Sequence, residues 1–302
     1  MHMDPMNADL DRAIAQLSSV LLGKEAQIRL AITGVLAGGH LLLEDLPGMG
    51  KTTLAEALAR VLGLEFHRLH FTSDLLPADL MGVNVLDQRS GQFRFQPGPL
   101  FCQVLLADEL NRASPRSQSA LLEAMASSRV SVDGTSHELP APFVVIASQN
   151  GLDQTGTAPL PESQLDRFLM RLSLGYPSRD AEAAMLEGKQ APLNNLEQVL
   201  TSKQLIAIQS AVRALPASQA LVNYVLDLLT VSREIGPGLS PRAGIALIAA
   251  AKAWAFLHNS SRLLPDHVQA VFPAVAEHRL DSGHRRQSLL SHQIMERVDA
   301  LR

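Results

Sequence analysis

The stretch from His40 to Leu58 constrains this chain more than any other. It holds a short apolar run (Leu41-Leu42-Leu43), a turn rich in glycine (Asp45-Leu46-Pro47-Gly48-Met49-Gly50) and then Lys51-Thr52-Thr53 opening a helical pattern. A short continuous apolar run is what a strand covered on both faces requires. Gly48 and Gly50 can take positive φ and let backbone N–H groups approach an anion. The N-terminus of the following helix adds partial positive charge. The stretch therefore reads as a phosphate-binding loop. Its residues Pro47, Gly48, Met49, Gly50, Lys51, Thr52 and Thr53 form the expected nucleotide-binding set, with Lys51 on the β- and γ-phosphates and the Thr52 hydroxyl on Mg²⁺. The usual G-x-x-x-x-G-K-[ST] pattern fails at one place, where Asp45 stands for the first glycine.

Composition sets outer limits. A chain of 302 residues has room for two domains, and 46% hydrophobic with 19% charged residues fits a globular protein with a substantial core. The net charge of −4 gives no general support for nucleic-acid binding. One cysteine, Cys102, excludes an internal disulfide and fits a reducing compartment, and its apolar neighbours predict a buried structural thiol. No apolar run reaches the ~18 residues of a membrane span. No signal peptide is visible, and the expected location is the cytoplasm.

The periodicities predict an alternating α/β region followed by helices. Helices are expected over 7–22 and 26–36, broken at Leu22-Gly23, and a third runs to Leu62 behind the loop. The break at Leu22-Gly23 is placed to touch an adenine, and it reads equally as a plain helix–helix turn. Strands are expected over 65–71, 101–107, 143–148 and 169–174. Two hairpins are expected, around Asp87–Gly91 and around Asp133-Gly134. Ser178 caps the start of an all-helical remainder, with helices near 180–188, 202–214, 218–235, 242–257 and 265–279. The chain is thus divided into 1–177 and 178–302.

Two strand ends carry chemistry. The 101–107 strand runs into Asp108-Glu109, two acids at the edge of a strand in a strand–helix alternation. There Asp108 is expected to hold Mg²⁺ through water, and Glu109 to polarise an attacking water. The 143–148 strand ends in Gln149-Asn150, where the Asn150 amide can hold that water or simply cap a turn. Arg242 follows Ser240-Pro241 in the first turn of an alanine-rich helix, where the helix dipole disfavours it. This suggests a phosphate partner, although surface arginines are also often simply solvated.

With these residues assembled, the chain resembles the MoxR family of AAA+ ATPases. The resemblance is densest in 40–52, 71–77, 95–101, 106–113, 118–125 and Leu165-Asp166-Arg167-Phe168. It implies an AAA+ P-loop core with a five-stranded parallel sheet in the order 5-1-4-3-2 and a C-terminal helical lid. The first hairpin would be the family's helix-2 insert, and the second would precede sensor 1. Asn150 matches sensor 1, Arg242 matches sensor 2, and Arg167 matches an arginine finger acting on the adjacent subunit's ATP. Whether Arg242 reaches its own or a neighbour's nucleotide is open. The resemblance further implies hexameric rings and chaperone-like remodelling of client or adaptor proteins, often beside von Willebrand factor A domain partners in maturation or metal insertion. Three departures stand out: Asp45 in the loop, His70 where the family usually has glutamine, and Gly151 where proline is frequent.

The expected activity is Mg²⁺-dependent hydrolysis of ATP to ADP. Two other classes remain: a nucleic-acid motor, which the acidic charge and the lack of a basic or aromatic stripe disfavour, and a nucleotide-gated binding module with little turnover. The ten histidines form no metal-ligand spacing of the HExxH kind.

Overall fold

The computed structural model describes residues 5–149, 160–280 and 290–300. Five parallel strands form its centre: β1 (Leu41–Glu44), β2 (Phe66–His70), β5 (Val104–Asp108), β8 (Val144–Gln149) and β9 (Met170–Leu172). Their order across the sheet is β2-β5-β8-β1-β9. Numbered along the chain, this is the expected 5-1-4-3-2. The fully buried strands, β5 and β8, are unbroken apolar runs at their cores, and helices cover both faces.

Helices α1 (Pro5–Val20) and α2 (Glu25–Leu36) precede β1, and α3 (Lys51–Val61) follows it. After β2 come α4 (Pro77–Met81) and the hairpin β3 (Gly82–Asp87) with β4 (Gln92–Pro97). The helix α5 (Pro115–Ser127) follows β5, with Ser114 Oγ accepting from Ser117 N and Pro115 at its first position. A second hairpin, β6 (Arg129–Val132) with β7 (Thr135–Glu138), leads to β8. The third parallel strand starts at Val104, three residues later than expected, because 101–103 turn instead of extending. The fifth is only 3 residues long.

A short helix α6 (Glu162–Leu165) precedes β9, and the remainder is helical: α7 (Arg179–Leu186), α8 (Ser202–Ala214), α9 (Gln219–Ile235), α10 (Pro241–Leu257), α11 (Pro265–Leu280) and α12 (Leu290–Arg297). Each of α7, α8, α9 and α10 begins at a Ser or Thr whose side-chain oxygen accepts a backbone N–H three residues on. α11 runs through Pro273, because Phe272, Val275 and Ala276 bury its apolar face against neighbours.

One apolar core extends from α1, α2 and α3 across β1 into α8–α11, so the lid helices share a continuous interior with the N-terminal helices. Gln209 on α8 donates to the Val35 carbonyl at the end of α2 (2.8 Å). A second core lies on the sheet's other face, under α5 and the hairpins, and includes Leu42, Leu105, Leu121 and Phe168. Cys102 is buried there, and burial pushes its thiol pKa up to about 12, as a structural cysteine requires. Among the described residues no single helix is long and apolar enough to cross a membrane.

Candidate nucleotide site

β1 ends at Glu44, and α3 begins at Lys51. Between them Gly48 and Gly50 take φ of 83° and 92°, the left-handed region in which a side chain is strained. Gly50 is the N-cap of α3, so the first N–H groups of that helix have no partner within it and face the loop. Lys51 is 8% exposed, and its Nζ donates to the Asp45 carbonyl at 2.6 Å. Burial lowers its pKa, while the negative charges of Asp45, Asp108, Glu109 and Glu44 oppose that shift. Thr52 and Thr53 follow in the first turn of α3, half-buried.

The unusual Asp45 has a distinct use. Its carboxylate accepts hydrogen bonds from Ser173 Oγ (2.8 Å), the Leu174 amide and the Gly175 amide (3.1 Å), just beyond β9. Lys24, itself buried, holds the same segment from the other side. Its Nζ donates to the carbonyls of Leu174, Gly175 and Tyr176 at 2.6, 2.9 and 2.7 Å. The loop between β1 and α3, the Leu22-Gly23 break and the start of the helical region therefore meet. A Cβ on Gly23 would stand 2.8 Å from Ala181 Cβ on α7, and Gly23 has a φ of 72°. A glycine is required there because the turn packs directly against α7.

Asp108 and Glu109 stand at the end of β5. Asp108 is nearly buried, and Ser148 Oγ on β8 donates to its Oδ1 at 2.6 Å while Arg68 on β2 donates to Oδ2 at 2.6 Å. Burial works against its charge, but these hydrogen bonds and the positive charge of Arg68 outweigh it and hold the pKa below the usual carboxylate value. Glu109 takes φ 56° and ψ 45°, which ends the strand and begins a 3₁₀ turn over Leu110–Arg112. Its N–H donates to Ser148 Oγ (3.0 Å), so one hydroxyl ties both acids to β8. Its carboxylate lies 2.7 Å from Arg112 Nε and 3.4 Å from His70 Nε2.

Arg167 and Arg242 belong to a different cluster. Arg167 follows α6, half-buried, and donates to the Leu122 carbonyl on α5 at 3.3 Å. Arg242, at the start of α10, is exposed, with a guanidinium nitrogen 3.8 Å from Asp166 Oδ2. The two arginines thus stand at adjoining positions, around Asp166. Asn150 lies outside the described residues.

Sequence reasoning missed Arg68, Ser148, Arg112 and Lys24. Arg68 and His70 are two apart on one strand and so share a face, and His70 pairs in register with Asp108. Strand order was needed to bring them to the acids. Arg112 is three residues beyond Glu109, a spacing that one turn of 3₁₀ helix brings together.

Magnesium fits the donors present. A hydroxyl from Thr52 and a carboxylate from Asp108 are hard oxygen ligands, too few for an all-protein cage and suited to an ion shared with phosphate oxygens and water. Among the described residues no group of three or more His, Cys, Asp or Glu could hold a metal alone.

A parallel sheet with a phosphate loop after its first strand, paired acids after its third and a helical lid defines an AAA-type ATPase. The family model described as "ATPase family associated with various cellular activities (AAA)" matches residues 40–170, and that of the AAA lid domain matches 229–298. The uncharacterised protein YeaC of Bacillus subtilis is 40% identical over 92% of this chain and 89% of its own. Chaperone MoxR1 of Mycobacterium tuberculosis is 36% identical over 90% of this chain and 75% of its own. A crystal structure of a Cytophaga hutchinsonii protein with a provisional ATPase designation superposes with a TM-score of 0.87 at 33% identity, covering 97% of this chain and 95% of that one. The chain belongs to the MoxR family of AAA+ ATPases.

Proposed function

We propose that this ATPase hydrolyses Mg²⁺-bound ATP in a homo-oligomeric ring and uses the cycle to remodel a partner protein in the cytoplasm. The observation that carries the reading is the pair Asp108–Glu109, turned to one strand end beside Lys51 and tied to β8 by the Ser148 hydroxyl. In this reading the α3 amides and Lys51 bind phosphate, and the Leu22-Gly23 turn flanks the base. Thr52 and Asp108 hold magnesium, which supplies charge neutralisation on the phosphates. Glu109 takes the proton of the attacking water, with Asn150 orienting that water. The division into an ATPase core over 1–177 and a lid over 178–302 belongs to the same proposal.

Arg167 is assigned to the adjacent copy's nucleotide. Its neighbour Asp166 is engaged by lid residues, and Arg242 shares that position, which favours action of Arg242 in trans as well. A hexamer is the proposed ring. The relative named a chaperone favours a protein client, and a von Willebrand factor A domain partner in maturation or metal insertion is the specific form proposed.

The test is Glu109→Gln. It should retain ATP binding in an equilibrium titration and lose phosphate release, whereas Lys51→Ala should lose binding. Near-parental turnover by Glu109→Gln would refute the assignment, and stimulation of turnover by DNA or RNA would move the client from protein to nucleic acid. Pull-down with Glu109→Gln in ATP should retain the client.

A further inference from the structure

The lid's helix α11 reaches back to the segment that carries Arg167. Arg279, in the last turn of α11, is 5% exposed. Its Nε donates to Asp166 Oδ1 at 2.7 Å. Its terminal nitrogens donate to the backbone carbonyls of Asp166 (3.3 Å), Phe168 (2.7 Å) and Leu169 (3.3 Å), and to that of Val275 on its own helix. His278 adds a ring nitrogen 3.2 Å from the Phe168 carbonyl. One buried guanidinium therefore holds the backbone on both sides of Arg167 and the side chain preceding it. A planar fork of five donors is the group suited to that work, and a lysine ammonium could not reproduce it. Ser240 Oγ, at the start of α10, donates to Asp166 Oδ2 at 3.5 Å, so a second lid helix meets the same carboxylate. Arg167 has a weaker tether of its own, the 3.3 Å bond to Leu122.

We propose that Arg279 is a positioning residue for Arg167: the Asp166–Arg279 latch sets where Arg167 stands at the neighbouring copy's nucleotide and makes that placement follow the lid. The inference rests on the reading of Arg167 as acting in trans. A finger stabilises only the transition state, so the latch acts on kcat and leaves the KM for ATP in place.

Mixed assemblies test it. A donor chain carrying Glu109→Gln keeps Arg167 and turns over no ATP. An acceptor carrying Arg167→Ala keeps its own loop and acids. Mixing the two should restore ATP hydrolysis at acceptor sites. Adding Arg279→Gln to the donor should lower the restored kcat by about 10-fold or more, the order expected from displacing a transition-state contact, with KM unchanged. The same substitution placed in the acceptor should leave the restored rate as it was. Arg279→Lys in the donor should behave like Arg279→Gln, since an ammonium has three N–H donors for the five acceptors that the guanidinium engages. A loss of the same size in donor and acceptor would mean ordinary destabilisation and would overturn the proposal, as would no loss in the donor. If Arg279→Gln chains fail to assemble by sedimentation, Asp166→Asn in the donor repeats the test at the other end of the latch, with the same two outcomes deciding. Failure of the plain donor to restore activity would instead refute trans action of Arg167, and the latch with it.

Discussion

The loop-and-acid cluster and the Arg167 cluster are built by different means. The first sits at the ends of the central strands β1, β5 and β8. Each of its groups is fixed by a neighbour on the adjoining strand or loop: Asp108 and Glu109 by Ser148, and Asp45 by the turn after β9. The second sits beside a strand of 3 residues at the sheet edge and is fastened by helices α10 and α11. Groups that must hold a fixed geometry among themselves are held by the sheet. The arginine proposed to serve another copy stands beside a carboxylate held by helices outside the sheet.

Substitutions can break or sharpen that contrast. The largest expected effect is at Arg167. Its replacement by alanine should lower steady-state hydrolysis by about 10³–10⁵-fold, the range for finger arginines. This loss should be repaired by a donor chain, which would mark the cluster as serving a neighbour. Glu109→Gln should cost about 10²–10⁴-fold, typical of a missing general base, and in single-turnover assays it should not be repaired by any partner chain, since its action is local.

The next effect is on stability. His40 lies under β1, with Nδ1 accepting from the Val145 amide (2.9 Å) and Nε2 donating to the Met125 carbonyl (3.1 Å). Burial lowers its pKa to about 4. Above pH 6.5 the ring is neutral folded and unfolded, so it adds no pH dependence. Below 6.5 the unfolded chain takes up a proton that the folded chain refuses. Stability therefore falls as pH drops towards 4, by about 3 kcal/mol from this group alone. His278, also lowered by burial, acts in the same direction beside the Arg167 segment. Melting temperatures between pH 7.5 and 4.5 should show this decline, and His40→Gln, which cannot titrate, should flatten part of it.

The smallest effect is at Asp45. Asp45→Gly restores the usual loop glycine but removes three acceptor contacts, and should lower the unfolding free energy by about 1–2 kcal/mol in denaturant titrations. Stability equal to the parent would mean that the sheet cluster does not need this tie.

Most of the sheet was legible because its strands are short apolar runs ended by glycine, proline or acid residues, as at Leu41-Leu42-Leu43 and before Asp108-Glu109. Two of the C-terminal helices were legible because Ser178 and Ser240 mark their starts. The order of strands came from family resemblance, since nothing in local pattern says that β8 lies between β5 and β1. The turn at 101–103 read as strand because Phe101 and Cys102 extend the apolar run of β5, with Cys102 buried by packing. The partners Arg68, Ser148, Lys24 and Arg279 could not be found by spacing. Each meets its target across a gap of many residues, and Lys24 donates to carbonyls 150, 151 and 152 residues away.

Glu109 has a consequence of another kind. A residue with a side chain held at φ 56° gives up about 1–2 kcal/mol relative to glycine in the same conformation. The turn is what brings two consecutive acids, which a continuing strand would send to opposite faces, to one edge. On the proposed role of Glu109 as general base, position 109 is a place where folding and chemistry select different residues. A library sorted only for heat resistance should drift there towards glycine or asparagine, and the winners of such a screen would be sturdy proteins that no longer turn over ATP.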